Sequence, residues 1–442
     1  MEIRDVIHGS IQIFAHELPI VDSRVFQRLR QIKQLGFSEN SYPTATHTRY
    51  IHSLGAMEAA TIAFDTIFDG PRASTLFKRD RLIAPERLRA VVRLAALLHD
   101  SGHGPLSHTT EFAMPAVKEL RVPGIENQSD RKANHEDYTL KLILDSPLTP
   151  LLIRAGATYG FGPSHVAALI DPQFKIQDDF FYEQIDGNRI DFRPILSQLI
   201  SSELDADRMD YLKRDSYMSG VAYGEYDLNW LMGNLTYHIS EGRCYLAISH
   251  RALLSFEDFL ISRFHMFLMV YFHHKSVIYD EMLGQYFHSP DCDYRLPAAI
   301  DEYMSCDDTH LVSHLARSLN PWAKRITERT PYKVLVELHT GIPNTPNSAQ
   351  NQTALLAKIK SRLNESGIHY LESTSTGELS KYFRKPGLPI FVRYDNQFSK
   401  PEIFRLEECT DVFTRYQDKR MISRLYVAPE SLSRARALAE GI

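Results

Sequence analysis

At 442 residues, 43% of them hydrophobic and 24% charged, the chain is long enough for two or three domains around a large core and is not disordered or fibrous in composition. Its 50 Lys and Arg against 55 Asp and Glu give a formal charge of -5, which excludes a global electrostatic grip on nucleic acid; small phosphorylated ligands fit better. Cys244, Cys292, Cys306 and Cys409 lack any C-x-x-C spacing, so neither a zinc knuckle nor a disulfide framework is indicated, and a reducing, cytoplasmic setting is expected. "MEIRDVIHGS" has charges where a signal peptide needs an apolar run, and Arg263 and His265 interrupt the greasiest stretch, so no membrane span is expected.

In chain order, "IRDVIHGSIQIF" predicts two short strands turning near Gly9, and "DSRVFQRLRQIKQLG" a helix with Asp22 as N-cap and Gly36 as stop. "SLGAMEAATIAFDTIF", "PERLRAVVRLAALLHD" and "RPILSQLISSELDADRMDYLKRD" place apolar residues three to four apart. "LLSFEDFLISRFHMFLMVYFHHKSVIYDEML" extends that pattern over one long helix. Residues 1–330 therefore read as an all-helical core behind the hairpin. After "NPWAKRITERTPYK" come "YKVLVEL", the polar stretch "HTGIPNTPNSAQNQ", "TALLAKIKSRLNESG", "LPIFVRY" and "SRLYVAP", which predict a small α/β domain over 331–442.

The chemistry concentrates in "LLHDSGHGPLSH". Imidazole nitrogens and carboxylate oxygens suit a borderline or hard divalent ion and leave positions open for water or substrate. The chain offers His52 in "HTRYIHSLG", His99 and Asp100 at the end of "LAALLHD", and Asp207 in "LDADRMDY". Neighbours on a helix point about 100° apart, so His99 and Asp100 can share an ion only where the helix ends or bends, as "SGHG" allows.

The pattern H-x(46)-H-D-x(106)-D, with "GHGPLSH" behind the pair, resembles the HD-domain metal-dependent phosphohydrolases. "DVIHGSIQI", "VFQRLRQIKQLG", "HTRYIHSLG", "LLHDSGHGPLSH", "NHED" and "LDADRMDYLKRD" are most similar to the SAM-and-HD-domain type deoxynucleoside triphosphate triphosphohydrolases, over roughly residues 3 to 330. The resemblance implies a mainly α fold: an HD-domain helical bundle, here with a short N-terminal β-hairpin and the small α/β C-terminal domain. It implies that His52, His99, Asp100 and Asp207 bind a divalent metal, one of Mn, Fe, Mg, Ni or Zn. Arg49 would clamp phosphate, and Arg208 stands where relatives carry a phosphate-binding lysine. His103, His108 and His135 would serve proton transfer and phosphate contact, with His108 as general acid, since histidine exchanges protons near neutrality.

By the same resemblance Gln34 and Leu35 would touch the sugar, while Tyr211 and Asp215 would pack beneath the deoxyribose and bind its 3′-hydroxyl; Asp207, Tyr211 and Asp215 stand at i, i+4 and i+8, one helical stripe. Asp22 and Arg30 match positions that read a nucleotide activator. The apolar surface of the 253–285 helix predicts a homo-oligomer, a dimer or tetramer. The expected function is metal-dependent hydrolysis of deoxynucleoside triphosphates to deoxynucleoside and inorganic triphosphate. The alternatives are an HD-type phosphohydrolase acting on another nucleotide, a monophosphate or cyclic phosphoester, or a non-catalytic nucleotide-binding scaffold. No dense basic run calls for single-stranded nucleic acid.

Overall fold

The hairpin forms where expected: β1 (Glu2–Asp5) and β2 (Gly9–Gln12) pair antiparallel, with Asp5 opposite Gly9. Asp5 closes the turn, its carboxylate accepting the backbone N–H groups of Ile7 and His8, each at 2.9 Å. The computed structural model describes residues 1–69, 84–125, 130–340, 349–380, 387–396, 398–416 and 419–440.

The helix expected over 22–36 is shorter and starts one residue later. Ser23, not Asp22, is its N-cap, accepting the Phe26 N–H at 3.3 Å. One α-turn, Arg24–Gln27, tightens into a 3₁₀ turn, Arg28–Gln31, before Lys33 bridges to Thr48; Asp22 instead closes the Leu18–Val21 turn. Two helices form the centre of the core, Arg49–Phe68 and Ala84–Leu98. The first is buried nearly all round because Gly55, Ala56, Ala59, Ala60 and Ala63 let its neighbours approach closely.

The chain is mainly α, but the all-helical expectation for 1–330 is corrected by four strands. β3 (Tyr182–Ile185) and β4 (Asn188–Asp191) turn through Asp186-Gly187, at φ +48° and +81°. β5 (Leu235–Ser240) and β6 (Arg243–Ser249) turn through Glu241-Gly242, at +50° and +71°. Two central residues at positive φ make the tight turn whose twist matches paired strands.

The helices expected over 193–215 and 253–283 are both broken. The first divides into Arg193–Ile200 and Ala206–Ser219, the second piece capped by Asp205, whose carboxylate accepts the Arg208 N–H at 2.8 Å. The other runs as Leu253–Met266, passes through a π-helical turn, Phe267–Tyr271, and resumes as His274–His288. Its apolar side chains are largely buried within the one chain: Phe256 and Phe264 pack against Phe413 and Tyr416, and Met282, Leu283 and Tyr286 are fully covered. The surplus of exposed apolar surface expected there is therefore not found, although Leu254 and Met269 are exposed.

After residue 330 the chain forms β7 (Lys333–Thr340), the Ala349–Glu365 helix and β8 (Tyr370–Gly377). Within the polar stretch, residues 341–348 lie outside the described residues. β9 (Phe391–Tyr394) and β10 (Glu402–Arg405) then return to the earlier sheet, β9 running parallel to β6. β11 (Arg420–Val427) goes back between β7 and β8, antiparallel to both, and the Leu432–Ala439 helix follows. This second sheet has its own small core of Leu356, Ile359, Leu363, Leu425, Val427 and Ala435.

Candidate metal and phosphate site

The Ala84–Leu98 helix ends one residue before His99, so His99 and Asp100 leave it on a turn. His52 stands in the first turns of the Arg49–Phe68 helix, and Asp207 is the second residue of Ala206–Ser219. Their donor atoms converge. His52 Nε2 is 3.0 Å from Asp207 Oδ1 and 3.4 Å from Asp100 Oδ2; His99 Nε2 is 3.4 Å from Asp100 Oδ1 and 3.5 Å from Asp207 Oδ1. Two ligands about 2.1 Å from a shared ion stand about 3.0 Å apart at a right angle and about 3.4 Å apart at the tetrahedral angle. One donor atom each from His52, His99 and Asp207 fits such a shell, all three lying within 4.8 Å of one another, while Asp100 reaches His52 and His99 through different oxygens.

The tautomers fit as well. His99 Nδ1 lies 2.7 Å from the Ala96 carbonyl, which can only accept, so Nδ1 carries the proton and Nε2 offers its lone pair. His52 Nδ1 lies 2.8 Å from Asp210 Oδ2, and the same reasoning applies. Both Nε2 atoms are buried without a hydrogen-bond partner. A buried polar atom without a partner is costly, and a divalent ion would satisfy both at once.

The charges agree. Burial disfavours a charged His52, yet the carboxylates of Asp100, Asp207 and Asp210 around it outweigh that and raise its pKa well above the ordinary range; His99 is raised too, burial being outweighed by Asp100 and Asp207. Burial would raise Asp100, but Arg49, His99 and His103 hold it well below the carboxylate range, and Asp207 is likewise lowered by His52 and His99. The pocket thus attracts positive charge, a proton or a cation.

Arg28 and Tyr303 hold the loop behind the pair. Arg28 donates to the carbonyls of Ser101 (3.1 Å), His103 (2.6 Å) and Cys306 (2.8 Å), and the Tyr303 hydroxyl donates to Gly102 O (2.7 Å). Gly102 is required for packing: a Cβ there would lie 2.1 Å from His135 O and 2.3 Å from Thr139 N. The left-handed turn falls on Leu106 and Ser107 instead, at φ +54° and +60°. Asp308 accepts the Leu106 N–H at 2.7 Å, and Arg49 Nε donates to Ser107 Oγ at 2.9 Å; Arg49 also pairs with Asp100.

His135 opens the His135–Leu144 helix, whose N-cap Asn134 exchanges hydrogen bonds with Asp137. Its ring stacks on His103 at 3.9 Å, while His108 stands edge-on to both at 4.8 and 4.9 Å. Glu111, which the sequence reading missed, joins them: its Oε1 lies 2.7 Å from His135 Nδ1 and 3.2 Å from His108 Nδ1. Burial would raise Glu111, but these two bonds bring it down to about 2. His103 is buried, and its pKa falls well below normal through burial and the nearby Arg49 and His135. His103 Nε2 is 3.3 Å from Asp100 Oδ1, so the two clusters adjoin.

On the expected sugar side, Gln34 is buried with its Oε1 unpartnered, and Leu35 is half-buried beside it. Tyr211 is edge-on to Tyr271, and Asp215 is gripped by two residues not expected at the site, through His47 Nε2 and the Tyr271 hydroxyl, both at 2.7 Å. The π-helical turn that ends on Tyr271 carries it to this position. Arg208 is engaged by acids of its own neighbourhood, Glu203 Oε2 at 3.1 Å and Asp205 Oδ2 at 3.6 Å. Asp22 and Arg30 lie apart from the metal cluster. They line a cavity of about 530 Å³ with Arg4, Asp5, Gln27 and Tyr50, the Arg30 guanidinium 3.6 Å above the Tyr50 ring.

A family model for the HD associated region matches residues 227–362. The uncharacterized protein MJ1154 of Methanocaldococcus jannaschii is 32% identical over 76% of this chain and 59% of its own. A Dictyostelium discoideum protein named deoxynucleoside triphosphate triphosphohydrolase SAMHD1 homolog is 25% identical over 83% of this chain and 66% of its own. The chain thus spans less than two-thirds of the length of either relative. A solved structure of a phosphohydrolase from Bacteroides thetaiotaomicron has the same fold, with a TM-score of 0.64 at 22% identity over 97% of this chain and 99% of that one.

Proposed function

Since the chain is related to the HD-domain phosphohydrolases, we propose that it is a metal-dependent phosphohydrolase that cuts deoxynucleoside triphosphates into deoxynucleoside and inorganic triphosphate. The observation that carries this reading is the convergence of His52, His99, Asp100 and Asp207, with two imidazoles locked as Nε2 acceptors by Ala96 and Asp210. A divalent ion there, whether Mn, Fe, Mg, Ni or Zn, supplies a Lewis acid for a phosphoryl oxygen and an acidified water.

The chain's own residues do the rest. Arg49, beside Asp100 and Ser107, faces developing phosphate charge, and Arg208 extends the positive wall. Water oxygen bonds to the α-phosphorus as one of its protons passes to solvent, the bond from phosphorus to O5′ breaks, and His108 gives O5′ its proton and is reprotonated from solvent. The Glu111 anion orients His108 and His135 and stabilises an imidazolium. His103, buried against Asp100, contacts phosphate. Gln34, Leu35, Tyr211 and Asp215 receive the deoxyribose, Asp215 at its 3′-hydroxyl. In a second site, the cavity lined by Asp22 and Arg30 takes a nucleotide activator; its volume and the planar Arg30 and Tyr50 support this.

The test is to incubate purified protein with each deoxynucleoside triphosphate and Mn²⁺ and resolve the products. Inorganic triphosphate with deoxynucleoside is the expected outcome. Orthophosphate from monophosphates, or opening of cyclic nucleotides, would move the substrate elsewhere in the family, and no turnover with any metal would leave a binding scaffold. Asp207→Ala should abolish hydrolysis and bound metal together; undiminished turnover would refute the assignment.

A further inference from the structure

Asp210 is fully buried, three residues beyond Asp207, and its carboxylate is saturated: Oδ1 accepts from His8 Nε2 and Arg214 Nη2, and Oδ2 from His52 Nδ1 and Arg214 Nε, all at 2.8 Å. Arg214 can only donate and meets both oxygens, which suits a carboxylate that accepts throughout, so both histidine N–H groups donate to it. Each of its four lone-pair sites has one donor.

One of these four donors comes from the N-terminal hairpin. His8, whose side chain is 3% exposed, is delivered by the turn that Asp5 closes, and Asp5 also receives Arg214 Nη1 at 2.7 Å and Nη2 at 3.1 Å. Asp5 therefore fixes both the turn that presents His8 and the guanidinium that grips Asp210. The Arg49–Phe68 helix accommodates the cage at Gly55, where a Cβ would lie 2.0 Å from Asp210 Oδ1 and 2.3 Å from Arg214 Nη2. Two carboxylates sharing one guanidinium leave one buried negative charge directly behind His52.

We propose that the N-terminal hairpin is a working part of the metal centre: His8 and Asp5 are positioning residues that orient Asp210, and through it hold His52 with Nε2 aimed at the ion. The inference rests on the metal reading above. Outer partners of metal-bound histidines set ring orientation and basicity, and losing one weakens metal binding by about 10- to 100-fold. Without the His8 donor, Oδ1 keeps only its Arg214 contact, the carboxylate is held less firmly, and the Nδ1 bond that orients His52 loosens.

The test measures Mn²⁺ binding to the metal-stripped full chain, by the electron paramagnetic resonance signal of free Mn²⁺, with no substrate present. His8→Ala should weaken binding by about 10-fold and Asp210→Asn by about 100-fold. Because His8 acts through Asp210, the double variant should bind no worse than Asp210→Asn alone. His8→Gln, which keeps an N–H donor, should recover most of the affinity. Ile11→Ala serves as the structural control, since it removes a fully buried side chain of the same hairpin without touching Asp210, and should leave the affinity of the folded protein unchanged. Wild-type affinity in His8→Ala, additive losses in the double variant, or an equal loss in Ile11→Ala would each overturn the proposal while leaving the metal reading intact. A wild-type chain that binds no Mn²⁺ overturns both.

Discussion

Gly55→Ala provides a sharp test because two well-known effects oppose each other there. In the interior of a helix such as Arg49–Phe68, replacing glycine by alanine stabilises by about 1 kcal/mol through backbone entropy. At this position the new Cβ would stand 2.0 Å from Asp210 Oδ1, 2.3 Å from Arg214 Nη2 and 2.7 Å from Asp210 Cγ, all far inside contact distance. Neither partner can swing into solvent, since both side chains are fully buried and each is held by further bonds. Breaking a buried ion pair without replacing it costs about 3–5 kcal/mol, so the net expectation is a loss of about 2–4 kcal/mol. Urea unfolding of the metal-stripped protein measures the stability, and Mn²⁺ titration the linked loss of affinity through His52. A variant as stable as the wild type or more so, binding Mn²⁺ as tightly, would refute the reading of Gly55 as the gap that admits Asp210.

Glu111→Gln can keep one oxygen facing both rings but removes the negative charge that would stabilise an imidazolium; turnover should fall by about 10²-fold with Mn²⁺ affinity unchanged, as product assay and dialysis would show. Tyr271→Phe removes the hydroxyl that steadies Asp215, and should raise KM for a deoxynucleoside triphosphate by about 10-fold with a smaller change in kcat, checked by steady-state kinetics. Burial raises the Asp280 carboxyl to about 7, against a hydrogen bond from Thr109 that lowers it. Folding therefore favours the protonated acid: this contribution is fully present below the unfolded pKa of about 4 and is lost as pH rises through about 7. Asp280→Asn should shrink the difference between urea midpoints at about pH 5 and about pH 8. An unchanged difference would show that Asp280 does not titrate in that window.

The candidate ligands were legible because each sits in a short, chemically unusual string: "HTRYIH", "LLHDSGHG" and "LDADRMDY" announce themselves without knowledge of the fold. Their supports were not. Asp210, His8, His47 and Tyr271 act through pairings that span from 56 to 202 positions, which no local period records; Glu111 reaches His135 across 24 positions, although its place three residues after His108 was a local sign. The helix breaks were hidden by apolar spacing that continues across them, although Asp205 standing three residues before Arg208 is an N-cap signature. The missed strands had a visible sign: Asp186-Gly187 and Glu241-Gly242 each separate two short alternating runs, the usual mark of a two-residue hairpin, overshadowed by the helical texture around them. The exposed apolar surface expected on 253–285 was a misreading of amount: sequence counts greasy side chains but not the late segment, with Phe413 and Tyr416, that covers them.

The return of β9 to run beside β6 sets an order on biosynthesis. The strand over 243–249 leaves the ribosome well before its partner at 391–394, so the nascent chain carries that flank with its parallel neighbour still to come. A fragment stopped at residue 330 would keep every proposed metal ligand yet present this unpaired backbone to other chains, an edge that invites aggregation. Production of an isolated catalytic half should therefore yield insoluble protein, and co-expression of the missing tail should rescue it.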